Sequence, residues 1–411
     1  MSASTSQASR IRSLLAYGSA PALGLISAPL LARALGPNGR GEFASVLQPM
    51  TVVTGLACMG VPTAMTYFAS SGSQASGTLR RSLLLVTAPG VVTYIVMVFV
   101  AGHLSTQTGV PLAVYLVAWL LIPLGAYVQV LRGYWQAKAA WGLLDLERVL
   151  SGVFRVLAIA IPAALVVTSA TWYSLGAVLA VLLASSILIR RRERDDEGEP
   201  ASWASLSRYA VYAWPMSVAL FVGSRLDQAL MPAASSVEQL GLYAVAATVA
   251  EVPLIVTTLI GREALPLAAA GKTTWEIVAD GRLYWFALLG MCLVVVVSAP
   301  WLVPLAFGSA FQPSVAAVQI LLVGSIGTAA VVFQSAVLAG RARPRSSAIS
   351  PLVAVLITLI GFTAMWGRVS STDAALISAV AQIAASVAGA LVLLRTNPRR
   401  IAPAKSEVGI R

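Results

Sequence analysis

The sequence predicts an all-α polytopic membrane protein with twelve transmembrane helices, set as two six-helix bundles related by a pseudo-two-fold axis along the membrane normal. Three features support this. Hydrophobic residues form 58% of the 411 and charged residues only 11%, with a mean hydropathy of +0.83. Soluble domains are about 45–50% apolar, and none has an interior large enough for this much apolar surface. Twelve apolar segments each approach the roughly 20 residues that a helix needs to cross ~30 Å of hydrocarbon. Finally, the basic residues alternate from loop to loop. The same composition excludes intrinsic disorder, a collagen-like fibre and a disulfide scaffold. Two cysteines, Cys58 and Cys292, and a single histidine, His103, are too few for a redox centre or a cysteine/histidine zinc site.

In chain order the predicted spans are Leu14–Ala34, Ala44–Ala69, Leu83–Leu104, Pro111–Leu131, Val149–Val167 and Tyr173–Ile189, then Tyr209–Pro232, Gly241–Ile260, Leu283–Phe307, Ser314–Leu338, Ile349–Trp366 and Ala374–Leu394. The first exceeds a signal-peptide core and eleven more follow, so it reads as an uncleaved helix. The stretch Tyr134–Leu146, with Trp135 and Trp141, is amphipathic and is expected to lie along the cytoplasmic interface. Of the 28 Lys and Arg residues, 23 fall in the termini and one set of alternate loops, and 3 (Arg33, Arg40 and Arg368) in the other set. Cytoplasmic loops carry the excess of Lys and Arg, so both termini are placed inside. The net charge of +12 then belongs to membrane topology and does not point to nucleic acid.

The most polar stretch, Arg190–Arg208, follows the sixth span and reads as a solvated cytoplasmic linker. It divides the chain into a bundle over 1–189, the linker 190–208, a bundle over 209–394 and a tail over 395–411. An even helix count per half gives both halves one orientation. Weak internal similarity agrees: Gly41-Glu42-Phe43-Ala44 opens the second span and Gly241-Leu242-Tyr243-Ala244 the eighth, while Pro21 and Pro215 occupy similar places in the first and seventh.

Leu31-Ala32-Arg33-Ala34-Leu35-Gly36-Pro37, followed by Gly41-Glu42-Phe43-Ala44, resembles the opening of the bacterial polysaccharide (Wzx-type) flippases, relatives of the MATE antiporters and lipid II flippases. Arg225-Leu226-Asp227-Gln228 with Gly241-Leu242-Tyr243 resembles the family's seventh and eighth helices. So does Leu302-Val303-Pro304-Leu305-Ala306-Phe307-Gly308 leading into Val318-Gln319-Ile320-Leu321. Lipid II flippases usually have fourteen helices, and room for twelve favours the oligosaccharide branch. The resemblance implies a lipid-linked oligosaccharide on a polyprenyl pyrophosphate as cargo, alternating access around a cationic cavity, and residence in the bacterial cytoplasmic (inner) membrane. Membrane lipid, and glycosyltransferases or a polymerase of the same pathway, are the implied partners.

Such a cargo needs a polar, cationic path. Ionisable residues inside spans are few: Arg155, Arg225, Asp227 and Glu251, with Arg33 near a helix end. Such residues are costly in lipid and face a bundle interior or a watery cavity. Arginine suits pyrophosphate because its planar guanidinium binds phosphate oxygens in pairs. Arg33, Arg155 and Arg225 are therefore the candidate substrate ligands. The alternatives for each are snorkelling to the interface or pairing with a carboxylate. Asp227 and Glu251 are the candidates for exchanging a coupling proton or sodium ion, or else members of structural pairs; no other cofactor is called for. Asp227 cannot meet Arg225 on its own helix, since i,i+2 neighbours point apart, so any partner stands on another helix. One rival is a MATE-like cation-coupled drug or metabolite antiporter. Another is a membrane-bound glycan polymerase or glycosyltransferase, disfavoured because the short outer loops hold only Glu42, Glu238 and Asp373. A non-transporting scaffold has no feature in its favour.

Overall fold

The computed structural model describes residues 3–190, 198–223, 225–341 and 343–395. Among these residues the chain is helical with no strand. Helix α1 (Ala3–Ala57) is two limbs joined at Gly36, whose φ of 64° and ψ of −176° suit glycine alone. Pro37 then restarts the helix, as proline does at a first turn. The second limb bends by 47° into α2 (Val61–Ser70), across Met59 and Gly60, both at positive φ. Next come α3 (Ala75–Thr108), α4 (Leu112–Trp119), α5 (Leu121–Ala137), α6 (Trp141–Ala164), α7 (Ala170–Ser185) and α8 (Ile187–Arg190). Beyond the linker, α9 (Trp203–Gly223) and α10 (Leu226–Ala234) divide the predicted seventh span at Arg225, which is non-helical. Helices α11 (Val237–Ala250) and α12 (Leu254–Ala269) meet at 50°, around Pro253, which cannot extend the hydrogen-bond ladder. A short α13 (Thr274–Asp280) leads to α14 (Arg282–Phe307), α15 (Ser314–Gly340), α16 (Pro344–Ser347), α17 (Ile349–Ala364) and α18 (Ser371–Arg395).

Helix thus falls on every predicted span. Judged by length and apolarity among the described residues, six helices qualify as spans alone, and up to eight if each bent pair is one span. Helix α6 falls short because it carries Asp145, Glu147, Arg148 and Arg155, and α17 because it has only 16 residues. The interfacial placement of Tyr134–Leu146 is corrected. Helix α5 runs straight on to Ala137, the chain reverses with Ala139 at φ 52°, and Trp141 begins α6. Tyr134 and Trp135 are buried, and the Trp135 indole N–H donates to the Leu188 carbonyl at 3.0 Å. An aromatic ring whose polar tip finds an internal partner gains more from the core than from the interface. The linker is less detached than its composition suggests. Residues 191–197 lie outside the described residues, but Arg81 donates to the carbonyls of Pro200 and Ala201 at 3.1 and 2.7 Å, and helix resumes at Trp203. The tail beyond Arg395 also lies outside the described residues.

Buried apolar residues cluster largely by chain half, with the start of α9 packing into a cluster of the first half. One cluster runs from Met231 to Ala375 and takes only Ala28, Ala32 and Ala44 from α1; three others lie between Leu31 and Ala210. Helix α1 packs on α11 across a seam of two glycines. A methyl group on Gly41 would overlap the Val237 carbonyl oxygen, and one on Gly241 the Pro37 carbonyl oxygen. Each oxygen belongs to the residue four places before the opposite glycine, so the contact is reciprocal. Exposed tryptophans mark both ends of the molecule: Trp141, Trp203 and Trp275 at the end bearing most of the arginines, and Trp172, Trp301 and Trp366 at the other. Rings at two levels around an apolar waist are what a bilayer's interfaces select. The first is the basic end of the molecule and the second its far end.

Candidate functional site

Between the two groups of helices lies a cavity of about 270 Å³ whose wall includes Arg40, Arg155, Arg225, Glu251, Gln48 and Gln228. The second limb of α1 brings Arg40, the middle of α6 brings Arg155, the α9–α10 break brings Arg225, and the α11–α12 bend brings Glu251. Each interruption places a polar side chain where an unbroken helix would present a regular face. Arg225 pairs with Glu251 at 3.1 Å. Arg155 is deep among protein atoms yet keeps accessible surface, as a side chain facing a cavity does. Arg40 is 4% exposed, stands over the Phe43 ring at 5.5 Å, and its Nε meets no protein acceptor. Three guanidinium groups against one carboxylate leave two positive charges in excess along this wall.

A second cavity, about 580 Å³, adjoins the first and shares Arg225, Gln228 and Glu251 with it. It reaches among α11, α12, α15 and α18, and most of its wall is apolar. Asp227 lies in it, buried. One carboxylate oxygen accepts from the Gln228 backbone N–H at 2.8 Å, and the other from the Tyr243 hydroxyl on α11. The partner of Asp227 on another helix is thus a tyrosine. Thr258, Ser325, Thr328 and Gln382 add polar atoms to this wall.

Of the residues singled out in the sequence, Arg155, Arg225 and Glu251 meet in the first cavity, and Asp227 lies in the second. Arg33 lines neither, and its expected place in the cavity is corrected. From an exposed position its Nε donates to the Ala306 carbonyl at 2.9 Å, and the same guanidinium reaches the Leu305 carbonyl. These belong to the last turn of α14, where carbonyls lack intrahelical partners and attract cations. Arg33 therefore clasps α1 to α14 at the far end. Arg40 is the residue sequence reasoning missed: its setting, Gly-Pro-Asn-Gly-Arg-Gly, reads as an outer loop. The available signal was spacing, because Arg40 stands three residues before the buried Phe43 and shares its helical turn.

An all-helical chain rich in apolar spans, with a cationic cavity between its groups of helices, defines the class of polytopic membrane proteins. Residues 9–269 match the family described as polysaccharide biosynthesis protein, and the chain belongs to that family. No curated protein matches the chain. Among solved structures it is similar to the lipid II flippase MurJ in an inward closed conformation (11% identity, TM-score 0.71, 94% of this chain and 87% of that one). It is also similar to a multidrug resistance MATE family transporter of the MOP superfamily in an inward-facing conformation (14%, 0.70, 92% and 94%). An outward-facing conformation of such a MATE transporter aligns with a TM-score of 0.58 at 15% identity, covering 94% and 95% of the two chains. These likenesses show the MOP transporter fold.

Proposed function

We propose that the chain is a flippase that carries a lipid-linked oligosaccharide, borne on a polyprenyl pyrophosphate, across the bacterial cytoplasmic membrane by alternating access during cell-surface polysaccharide synthesis. The observation carrying this reading is the convergence of Arg40, Arg155 and Arg225 on one small cavity against the single acid Glu251. An excess of two positive charges matches the two negative charges of a pyrophosphate diester, and guanidinium forks suit its paired oxygens. Glycosyltransferases or a polymerase of the same pathway would supply and consume the cargo. In this reading the chain crosses the membrane twelve times as two six-helix bundles, 1–189 and 209–394, with linker 190–208, tail 395–411 and both termini at the cytoplasmic basic end. The charge alternation, the tryptophan girdles and the separation of the apolar clusters support that layout. Reporter fusions after Arg194 and after Lys272 are expected to read cytoplasmic; a periplasmic signal at either overturns the helix count.

The decisive experiment is transport in reconstituted vesicles. Wild-type protein is expected to move lipid-linked oligosaccharide, and Arg225→Ala, Arg155→Ala or Arg40→Ala at normal membrane levels to lower the rate at least about tenfold, the loss of one charge-assisted contact. A second reading, a cation-coupled drug or metabolite antiporter, draws on the larger, mainly apolar cavity beside buried Asp227. Movement of ethidium, with lipid-linked oligosaccharide left in place, would favour it.

A further inference from the structure

A third cavity, about 500 Å³, opens at the basic end between α2, α5, α6 and α9, and neither the charge-bearing cavity nor its neighbour includes it. Six of its residues carry distinctive chemistry: Tyr67, Tyr209, Gln129, Gln136, Arg132 and Arg148. Tyr67 and Tyr209 stack, with ring centroids 4.5 Å apart and planes at 13°, and Phe68 meets both edge-on. The two arginines differ from those of the central cavity in being matched by acids. Arg132 pairs with Glu147 at 2.7 Å, and Arg148 with Asp145 at 3.3 Å. Glu147 also accepts from Ser185 at 3.1 Å. Each guanidinium that lines the pocket thus has a carboxylate of its own beside it.

That balance selects the ligand. An anion gains little from a pocket whose cations are already neutralised. A neutral polyhydroxyl molecule gains from amides that donate and accept and guanidiniums that donate along its rim, and from aromatic faces that cover the C–H face of a pyranose ring. The geometry points to a glycan-binding subsite at the basic end for the sugar portion of the cargo. It rests on the flippase reading and extends it, because the central cavity of about 270 Å³ is sized for a pyrophosphate and the larger cavity beside it is walled mainly by apolar side chains, which offer a sugar few partners. Helix α6 connects the two: Arg148 stands in the glycan pocket and Arg155 in the central cavity. Seven residues are two turns, so the pair share one face about 10.5 Å apart, a distance that two linked pyranose rings span. The molecule thus divides its cargo by charge, with surplus cations at the centre for pyrophosphate and balanced pairs with stacked rings at the basic end for sugar.

Binding to the full-length purified protein in nanodiscs separates the two parts. The probes are farnesyl pyrophosphate, which has no sugar, and the lipid-linked oligosaccharide pool extracted from the producing bacterium. Wild type is expected to bind the extract more tightly than farnesyl pyrophosphate, with the difference insensitive to salt, whereas binding of farnesyl pyrophosphate weakens as salt screens it. Tyr67→Ala and Gln136→Ala, both exposed positions, are expected to weaken the extract about tenfold and leave farnesyl pyrophosphate unchanged; Tyr67→Phe, which keeps the ring, should restore the extract. Full affinity of Tyr67→Ala for the extract, or equal binding of both probes by wild type, overturns the subsite while leaving the flippase reading intact. Equal loss of both probes in Tyr67→Ala makes the tyrosine structural and also overturns it. If wild type binds neither probe, the flippase reading itself falls.

Discussion

Asp227 and Glu251 stand within one turn of the same arginine in sequence or space, yet they are held in different ways. Glu251 is spent on Arg225 in the charge-bearing cavity, whereas Asp227 is satisfied by a tyrosine hydroxyl and its neighbour's backbone N–H. The two amide substitutions should therefore differ. Glu251→Gln frees Arg225 and raises the cavity's excess charge, so farnesyl pyrophosphate should bind more tightly while turnover falls, since release becomes the slow step. Asp227→Asn keeps both neighbours and leaves pyrophosphate affinity unchanged. If Asp227 exchanges the coupling ion, transport by this variant loses its dependence on pH and sodium, because an ion bound equally in both states shifts nothing. Arg155 and Arg225 were legible in the sequence because a charge within twenty apolar residues has nowhere else to go. Arg40 was not, because a glycine-rich hexapeptide reads as a loop, and only the Gly36 turn reveals that the helix restarts beneath it. Arg33 was misread for a related reason: its distance from the helix end was evident, but the open carbonyls of α14 that hold it were not.

Breaks within helices do much of the positioning. Gly60, at φ 73°, ends the bend before α2, and a methyl group there would strike the Ala210 carbonyl on α9. Gly60→Ala combines an unfavourable left-handed backbone with that overlap, and should destabilise the protein by about 1–3 kcal/mol, read as a lower unfolding midpoint in detergent. A different device orders α13 outside the membrane. Thr273 caps it, and the Glu276 carboxylate accepts from the Thr273 backbone N–H at 2.8 Å and hydroxyl at 2.9 Å, a capping box. Those donors, the backbone N–H first, hold the Glu276 carboxyl below its usual range. A depressed folded-state pKa means the cap contributes fully at neutral pH and is lost as pH falls through that lowered value. Protection factors across Thr274–Asp280, taken against the intrinsic exchange rate at each pH, should fall on acidification, and Glu276→Ala should make them lower at neutral pH and insensitive to that change. The apolar spans were plain from run length, whereas α13 was not, being short and polar. The breaks in the spans were not read in advance, since Pro89, Pro162 and Pro300 stand within unbroken helices. Nor were the bend angles, since they depend on which neighbouring carbonyl the turn meets.

At the level of the whole molecule, the far end is held by two kinds of contact, the Arg33 clasp on α14 and the Gly41–Gly241 seam. Opening toward that side must part both. Spin labels at the exposed far-end positions Asn38 and Ser309 should move apart in Gly41→Ala and in Gly241→Ala by similar amounts, because each methyl group meets the equivalent oxygen. The double variant should add little, since a seam already parted has no room left to lose. Unchanged label distances in both single variants would show that the glycines do not set the closure. The apolar spans could be read from run length, whereas this seam could not: Gly41 and Gly241 were recognisable as like-placed residues, but sequence gives no reason why like-placed residues should touch.

Their touching bears on ancestry. Two surfaces that meet under one two-fold rule are the contact a homodimer makes with itself. In a dimer of separate six-helix subunits, any change at this position would be written twice, doubling its effect in the same place. In a single chain the two sides are free to differ, as they do here: Arg40 and Arg155 come from the N-terminal half and Arg225, Asp227 and Glu251 from the C-terminal half, while a glycine stands on both sides of the seam.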